Sequence, residues 1–225
     1  MEILERKAKE GLDVRLIYDD YGCVALLPRK YHVLLNKKGI KTKKYAALTP
    51  FLSTHLNNRD HRKMIIVDGK VAMSGGVNLC DEYINVYEKY GHWKDTGVML
   101  QGDAAQGFTL LFLQMWNALE KERVYEPYMK PVSKEISGPG YVIPYSDTPM
   151  DTENVGEMVY LDMLNRARDY AYIMTPYLIL DNEMITALTF AAKRGVDVRL
   201  ILPHIPDKKY AFVLAKEHYK ELLEA

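Results

Sequence analysis

Two stretches of the sequence nearly repeat one another. Residues 8–17 read AKEGLDVRLI and residues 192–201 read AKRGVDVRLI, identical at eight of ten positions. Each joins the end of a helical pattern to a glycine and then to an alternating run of branched apolar residues. Glycine stops a helix because it enters the left-handed region without a Cβ clash, and the alternating run that follows favours a strand. Helix feeding strand, twice, places the chain in the α/β class. Convergence of two independent units would account for the apolar positions. Lys, Asp and Arg recur as well, at surface positions where packing imposes little, so duplication is the preferred reading. Gly11 and Gly195 stand 184 residues apart, which puts the counterpart of a residue near 61 close to position 245, past Ala225. The second copy is therefore expected to stop short of that counterpart. The segment 154–177 has no match ahead of Met1, so the first copy is expected to be clipped at its start.

The remaining pattern fills in around these joints. Met1 to Gly11 reads as a helix, Asp13 to Tyr18 as a strand, Ala25 to Leu35 as a helix and Ile40 to Tyr45 as an extended segment. Lys63 to Val67 and Val71 to Ser74 flank the turn pair Asp68-Gly69 as a hairpin, with Asp95 to Leu100 a further strand and Ala104 to Leu119 a long helix. Proline, glycine and serine concentrate between Lys130 and Asp151, where no helix can be sustained. The expected division is a first lobe over 1–129, a linker over 130–153 and an incomplete second lobe over 154–225. The second lobe would hold a helix from Asn154 to Arg168, a buried strand from Tyr170 to Met174, and a helix from Asn182 to Arg194. A strand from Val196 to Leu202 and a terminal helix from about Lys208 would complete it.

Thirty basic and thirty acidic side chains cancel, so overall charge gives no reason to expect nucleic acid as a partner. Anion binding must be local. Arg29 to Lys44 holds seven basic residues and no acidic one, either a solvated face, which we favour, or an approach to anionic lipid head groups. Cys23 and Cys80 lack metal or redox spacing and read as free thiols. No run reaches the roughly 18 apolar residues that span a bilayer, so the chain as given is expected to be soluble.

The chemistry concentrates in RDHRKMIIVDGKVAMSGGVNLCDEY, residues 59–83. His61, Lys63 and Asp68 are followed by Gly75, Gly76 and Asn78, a His-x-Lys, four residues, Asp, six residues, Gly-Gly-x-Asn spacing. Five fixed residue types at fixed spacing arise by chance on the order of once in a million starting positions, so the motif is specific. Attack on an anionic phosphodiester needs a nucleophile that is not itself an anion, together with cations and donors for the phosphate oxygens. A neutral His61 imidazole supplies the first. Lys63 supplies a point charge and Asn78 an amide donor, while Gly75 and Gly76 admit close backbone approach. The motif is expected on a strand, where His61 and Lys63 project from one face toward a single phosphate and Arg62 points away. Asp68 counts with the catalytic set, although its place in a turn favours a fold-stabilising carboxylate. His32, His55, His92, His204 and His218 read as surface or satisfied core histidines, and Tyr83, Trp93 and Trp116 as packing.

The motif resembles that of the phospholipase D superfamily. LNNRDHRKMIIVDGKVAMSGGVNLCDEYI, GHWKDTGVML, FLQMWN, MTPYLILDNEM and AAKRGVDVRLILP are similar to its bacterial cardiolipin synthase branch. The resemblance implies a mixed central sheet flanked by helices in each of two similar lobes, every lobe giving one motif to a shared cleft. It implies transfer of a phosphatidyl group between two phosphatidylglycerol molecules through a phosphohistidine, with no metal or organic cofactor. By the same resemblance Asp95 of Trp93-Lys94-Asp95 orients His61, and Arg59, Thr175 and Tyr177 lie beside the substrate. Gly76 departs from the serine that many members carry there. The implied partners are anionic phospholipid, the membrane surface and the remainder of the second lobe, with the full-length protein at the bacterial cytoplasmic membrane. Two other readings stay open: a single-motif phosphodiesterase or nuclease acting as a homodimer, and an inert lipid-binding piece.

Overall fold

The computed structural model describes residues 1–23, 26–45, 59–130, 140–148 and 152–225. His55 falls outside them, as does half of the expected linker. The chain forms two compact units, Met1–Gly76 with Gly97–Pro144, and Val77–Thr96 with Tyr145–Ala225.

In the first unit, helix α1 (Glu2–Lys9) ends at Gly11, whose φ is 87°, and strand β1 (Arg15–Asp19) follows. The Gly11 N–H donates to the Ala8 carbonyl and the Leu12 N–H to that of Lys7, the paired bonds of a glycine helix stop. A short helix α2 (Asp20–Cys23) and helix α3 (Tyr31–Lys37) lead to β2 (Lys41–Tyr45), which lies parallel to β1 with Arg15 opposite Lys41. The helix expected from Ala25 starts instead at Tyr31, and Ala25 itself is outside the described residues. Pro28 lacks an N–H and constrains its predecessor, and Lys30 sits at φ 58° immediately before the first turn.

Strands β3 (Met64–Val67), β4 (Val71–Gly75) and β5 (Gly97–Gln101) form an antiparallel sheet in that order. Asp68 and Gly69 both take positive φ, 54° and 64°, the paired left-handed conformation whose twist suits a hairpin. Helix α4 (Ala104–Ala118) packs on all three strands. Ala72, Ala105, Leu113 and Trp116 are buried there, while Ile65, Val67, Met73 and Met99 remain exposed. The basic stretch is largely neutralised within this unit. Lys38 pairs with Glu5 at 2.7 Å, Lys41 with Asp13 at 2.9 Å, Lys43 with Glu120 at 2.6 Å and Lys44 with Asp20 at 2.8 Å.

The second unit carries α5 (Val155–Arg166), β6 (Tyr170–Met174), α6 (Asn182–Lys193), β7 (Asp197–Ile201), α7 (Lys209–Glu217) and α8 (Tyr219–Glu224). The expected terminal helix is thus interrupted at His218. Asp181 caps α6 by accepting the Met184 N–H at 2.9 Å. Strands β6 and β7 are parallel, and Leu164, Ala187 and Leu188 pack on Ala171, Ile173, Val198 and Leu200. The strand expected to be buried is only half so, because Tyr170, Tyr172 and Met174 alternate outward and are exposed. Parallel and antiparallel pairing with flanking helices makes this a mixed α/β fold, as expected.

The near-repeat folds alike. Gly195 has φ 91°, and Gly195 and Val196 donate to Ala192 and Ala191, matching Gly11 and Leu12 bond for bond. Gly39 makes the same pair of bonds after α3, so the backbone stop alone does not argue for duplication. The two joints also share an ion pair, since Arg15 Nη2 meets Asp13 at 2.7 Å and Arg199 Nη2 meets Asp197 at 2.8 Å, where the joint at Gly39 has lysines and no acidic residue. Among the described residues, no helix is long and apolar enough to cross a membrane.

Candidate active site

His61 and Lys63 stand ahead of β3 and not on it, so strand alternation does not set their faces. The apolar alternation that makes the strand begins only at Met64, and the five residues before it are charged or polar. Other bonds shape this segment. Lys63 Nζ donates back to the His61 carbonyl at 2.7 Å, and Ser74 Oγ on β4 donates to the Lys63 carbonyl at 3.0 Å. Arg62 Nε pairs with Asp60 at 2.6 Å.

Asp19, at the end of β1, gathers the residues just before His61. Its carboxylate accepts from Arg59 Nε at 2.8 Å and closely from Arg59 Nη2, from the Asp60 N–H at 3.2 Å and from the Gly22 N–H at 3.0 Å. The Arg59 guanidinium also lies 4.3 Å from the centre of the Tyr21 ring. A two-pronged pair with one aromatic wall fixes a planar cation, so the Arg59 charge is met within the unit. A Cβ at Gly22 would lie 3.2 Å from Arg59 Nη2, which keeps this turn small.

His61 is exposed. The packing it does have lowers its pKa below the ordinary histidine value, the Lys63 ammonium lowers it further, and Asp60 and Asp19 oppose both. A base held neutral near pH 7 is what nucleophilic attack requires.

The other expected site residues divide between the units. Arg59, His61, Lys63, Asp68, Gly75 and Gly76 belong to the first, and Asn78, Asp95, Thr175 and Tyr177 to the second. Asp68 occupies the exposed hairpin turn. Gly75 closes β4 opposite Gly97, where an added Cβ would come within 3.3 Å of the Ser74 carbonyl. Asn78 and Asp95 are half-buried. Asp95 accepts from Trp93 Nε1 at 3.2 Å and from the Thr96 N–H at 2.8 Å. Asn85, at φ 58°, brackets the Trp93 backbone, accepting its N–H at 2.6 Å and donating to its carbonyl at 2.9 Å. Thr175 Oγ1 bonds the Tyr177 N–H and carbonyl at 3.3 and 3.2 Å, turning the chain after β6.

Trp93 packs edge-on against Tyr83 with ring centres 4.7 Å apart, and Trp116 is buried beside Phe112, in keeping with their reading as packing. His32 differs from expectation, since its buried Nδ1 has no hydrogen-bond partner among the described residues. Asp19 and Asn85 escaped the sequence reading. In the sequence the polar pair Asp19-Asp20 signals no more than the end of a strand, and nothing marks Asn85.

The family profile described as cardiolipin synthase, PLD-like domain, matches residues 1–116 and 160–225. An uncharacterized protein of Streptococcus mutans is 55% identical over 100% of this chain, which covers 49% of that protein. A cardiolipin synthase of Geobacillus kaustophilus is 36% identical over 99% of the chain, covering 45% of that enzyme. The chain thus spans about half the length of these relatives. The solved phosphatidylserine synthase of Haemophilus influenzae aligns with 95% of this chain and 56% of its own at a TM-score of 0.57 and 15% identity, which shows a shared fold. On the profile match over residues 1–116 and 160–225, and the likeness to a cardiolipin synthase along nearly the whole of this chain, the chain belongs to the cardiolipin synthase family of PLD-like domains.

Proposed function

We propose that the chain supplies one half of a phosphatidyl-transfer site that joins two phosphatidylglycerol molecules into cardiolipin with release of glycerol. The observation that carries this is His61, exposed, biased toward neutrality and preceding Lys63 by two residues within the family motif. An imidazole nitrogen of His61 attacks the phosphodiester phosphorus. The bond from phosphorus to the terminal glycerol oxygen breaks, and glycerol leaves with a proton, giving a phosphatidyl-histidine. A hydroxyl of the second phosphatidylglycerol then attacks that phosphorus, loses its proton and releases the imidazole. Lys63 and Asn78 stabilise the charge on the non-bridging oxygens, and Asp95 fixes the His61 tautomer and the imidazolium charge. The acid that protonates the leaving glycerol is the matching histidine of a second motif, carried by sequence outside these 225 residues. The full-length protein works at the membrane surface, where its substrate lies.

The test uses vesicles of phosphatidylglycerol with two proteins, the 225-residue chain and the longest reading frame that contains it. Cardiolipin and glycerol are expected in equal amounts from the longer protein and little from the chain alone. A stable dimer of the chain that cleaves DNA and leaves the lipid untouched would defeat the reading.

A further inference from the structure

The second unit holds a knot of three side chains far apart in sequence. Asp207, ahead of α7, accepts the Tyr177 hydroxyl at 2.7 Å and the Tyr83 hydroxyl at 3.3 Å on the same oxygen, Oδ2. Tyr177 lies in the turn after β6, and Tyr83 in the 3-10 turn Asp81–Tyr83 that follows the motif. Burial pushes both phenols above the ordinary tyrosine value, and the Asp207 charge adds to this in each. Both therefore stay protonated and donate throughout the physiological range.

From Tyr83 the contacts continue to Asp95. The Tyr83 ring meets Trp93 edge-on at 4.7 Å, Tyr90 lies against both rings at 6.3 and 6.2 Å, and Trp93 Nε1 donates to Asp95 at 3.2 Å. Asn85 holds the backbone of Trp93 from the other side. An aromatic ring fixed at its hydroxyl cannot slide along its neighbour, so the Asp207 carboxylate limits where Trp93, and with it Asp95, can go.

We infer that Asp207, itself held by the Tyr177 hydroxyl, is a positioning residue, which through the Tyr83 hydroxyl fixes Trp93 and thereby aims the Asp95 carboxylate. This rests on the proposed role of Asp95 for its consequence in turnover, but not for the positioning itself. A misplacement of about 1 Å in a catalytic group is enough to lower a rate roughly 100-fold.

Trp93 and Trp116 are the two tryptophans of these 225 residues, so replacing Trp116, and every tryptophan that the longest reading frame carries beyond them, with phenylalanine leaves Trp93 as a lone fluorophore. In that background within the longest reading frame, Asp207→Ala is expected to red-shift Trp93 emission and at least double its quenching by acrylamide. On phosphatidylglycerol vesicles it should lower kcat roughly 10- to 100-fold with little change in KM. Asp207→Asn keeps an acceptor oxygen and should restore both signals. Tyr83→Phe removes only a hydroxyl, and should raise Trp93 quenching even if Asp207→Ala does not fold. Unchanged Trp93 quenching in Tyr83→Phe, or in a folded Asp207→Ala, overturns the positioning role. Absence of transfer by the unmutated protein overturns the proposed function instead, and leaves the Trp93 signal to decide the positioning role.

Discussion

The two ends of the stretch from residue 59 to residue 95 are held by different physics. Around His61 the fixing groups are charged: Asp19 with Arg59, Asp60 with Arg62, and Lys63 folded back on the His61 carbonyl. Around Asp95 the groups that touch Trp93 are neutral, with Asn85 bracketing its backbone and Tyr83 and Tyr90 packed on its ring. Partly exposed ion pairs adjust easily and are screened by salt. Amide bonds and ring packing are directional and nearly indifferent to salt. The difference leaves the His61 end freer to adjust and holds the Asp95 end still.

The comparison is broken or sharpened most strongly by removing the reacting group from each end. His61→Ala is expected to abolish transfer and the acid-labile phosphoenzyme together. Asp95→Asn should lower the rate by about 100-fold or more while a phosphoenzyme remains detectable, since a misplaced tautomer slows attack without deleting the nucleophile. Brief incubation with labelled phosphatidylglycerol followed by denaturing gels separates the two. A labelled protein that survives His61→Ala moves the nucleophile elsewhere.

A smaller effect reads the supports themselves. Asp19→Ala leaves the Arg59 guanidinium without its two-pronged partner, and Asn85→Ala leaves the Trp93 N–H and carbonyl unmet at a position whose φ of 58° also suits asparagine. Each is expected to cost about 1–3 kcal/mol. Urea midpoints at low and high salt distinguish them. The Asp19 penalty should shrink by half or more near 1 M salt, and the Asn85 penalty should hold. Equal salt dependence in the two variants would remove the contrast drawn above.

These supports also show what a sequence can disclose. The glycine stops at Gly11 and Gly195 were legible because one residue type serves one backbone conformation, and the hairpin at Asp68-Gly69 because two positive φ values demand such a pair. The motif was legible because phosphoryl chemistry restricts which side chains serve. Asp19 with Arg59 was not, since a pair 40 residues apart leaves neither period nor spacing. The extent of β3 was misjudged for a related reason. A His-x-Lys spacing looks like strand alternation, but only the apolar run from Met64 to Val67 has a face to bury. The outward tyrosines of β6 were read as buried because Tyr170 and Tyr172 carry as much apolar surface as a core strand, and only the observed alternation shows that one face is open.

The smallest effect tests the charged end alone. Partial burial and Lys63 hold the His61 pKa below the ordinary histidine range, while Asp60 pulls the other way. Lys63→Met should therefore raise the His61 pKa, and Asp60→Asn should lower it. Because the folded pKa lies below the unfolded one, the unfolded chain takes up the proton first as pH falls. The contribution of this group to stability is then complete above about pH 6.5 and is lost as pH drops through the folded value. NMR titration of the His61 ring protons follows the shift directly, without any need for turnover. Asp95→Asn in the same titration asks whether the neutral end reaches the nucleophile: a carboxylate beside the ring would raise its pKa, so its loss should lower the His61 value. No movement on Asp95→Asn would confine the electrostatic control of His61 to the charged end that Asp19 organises.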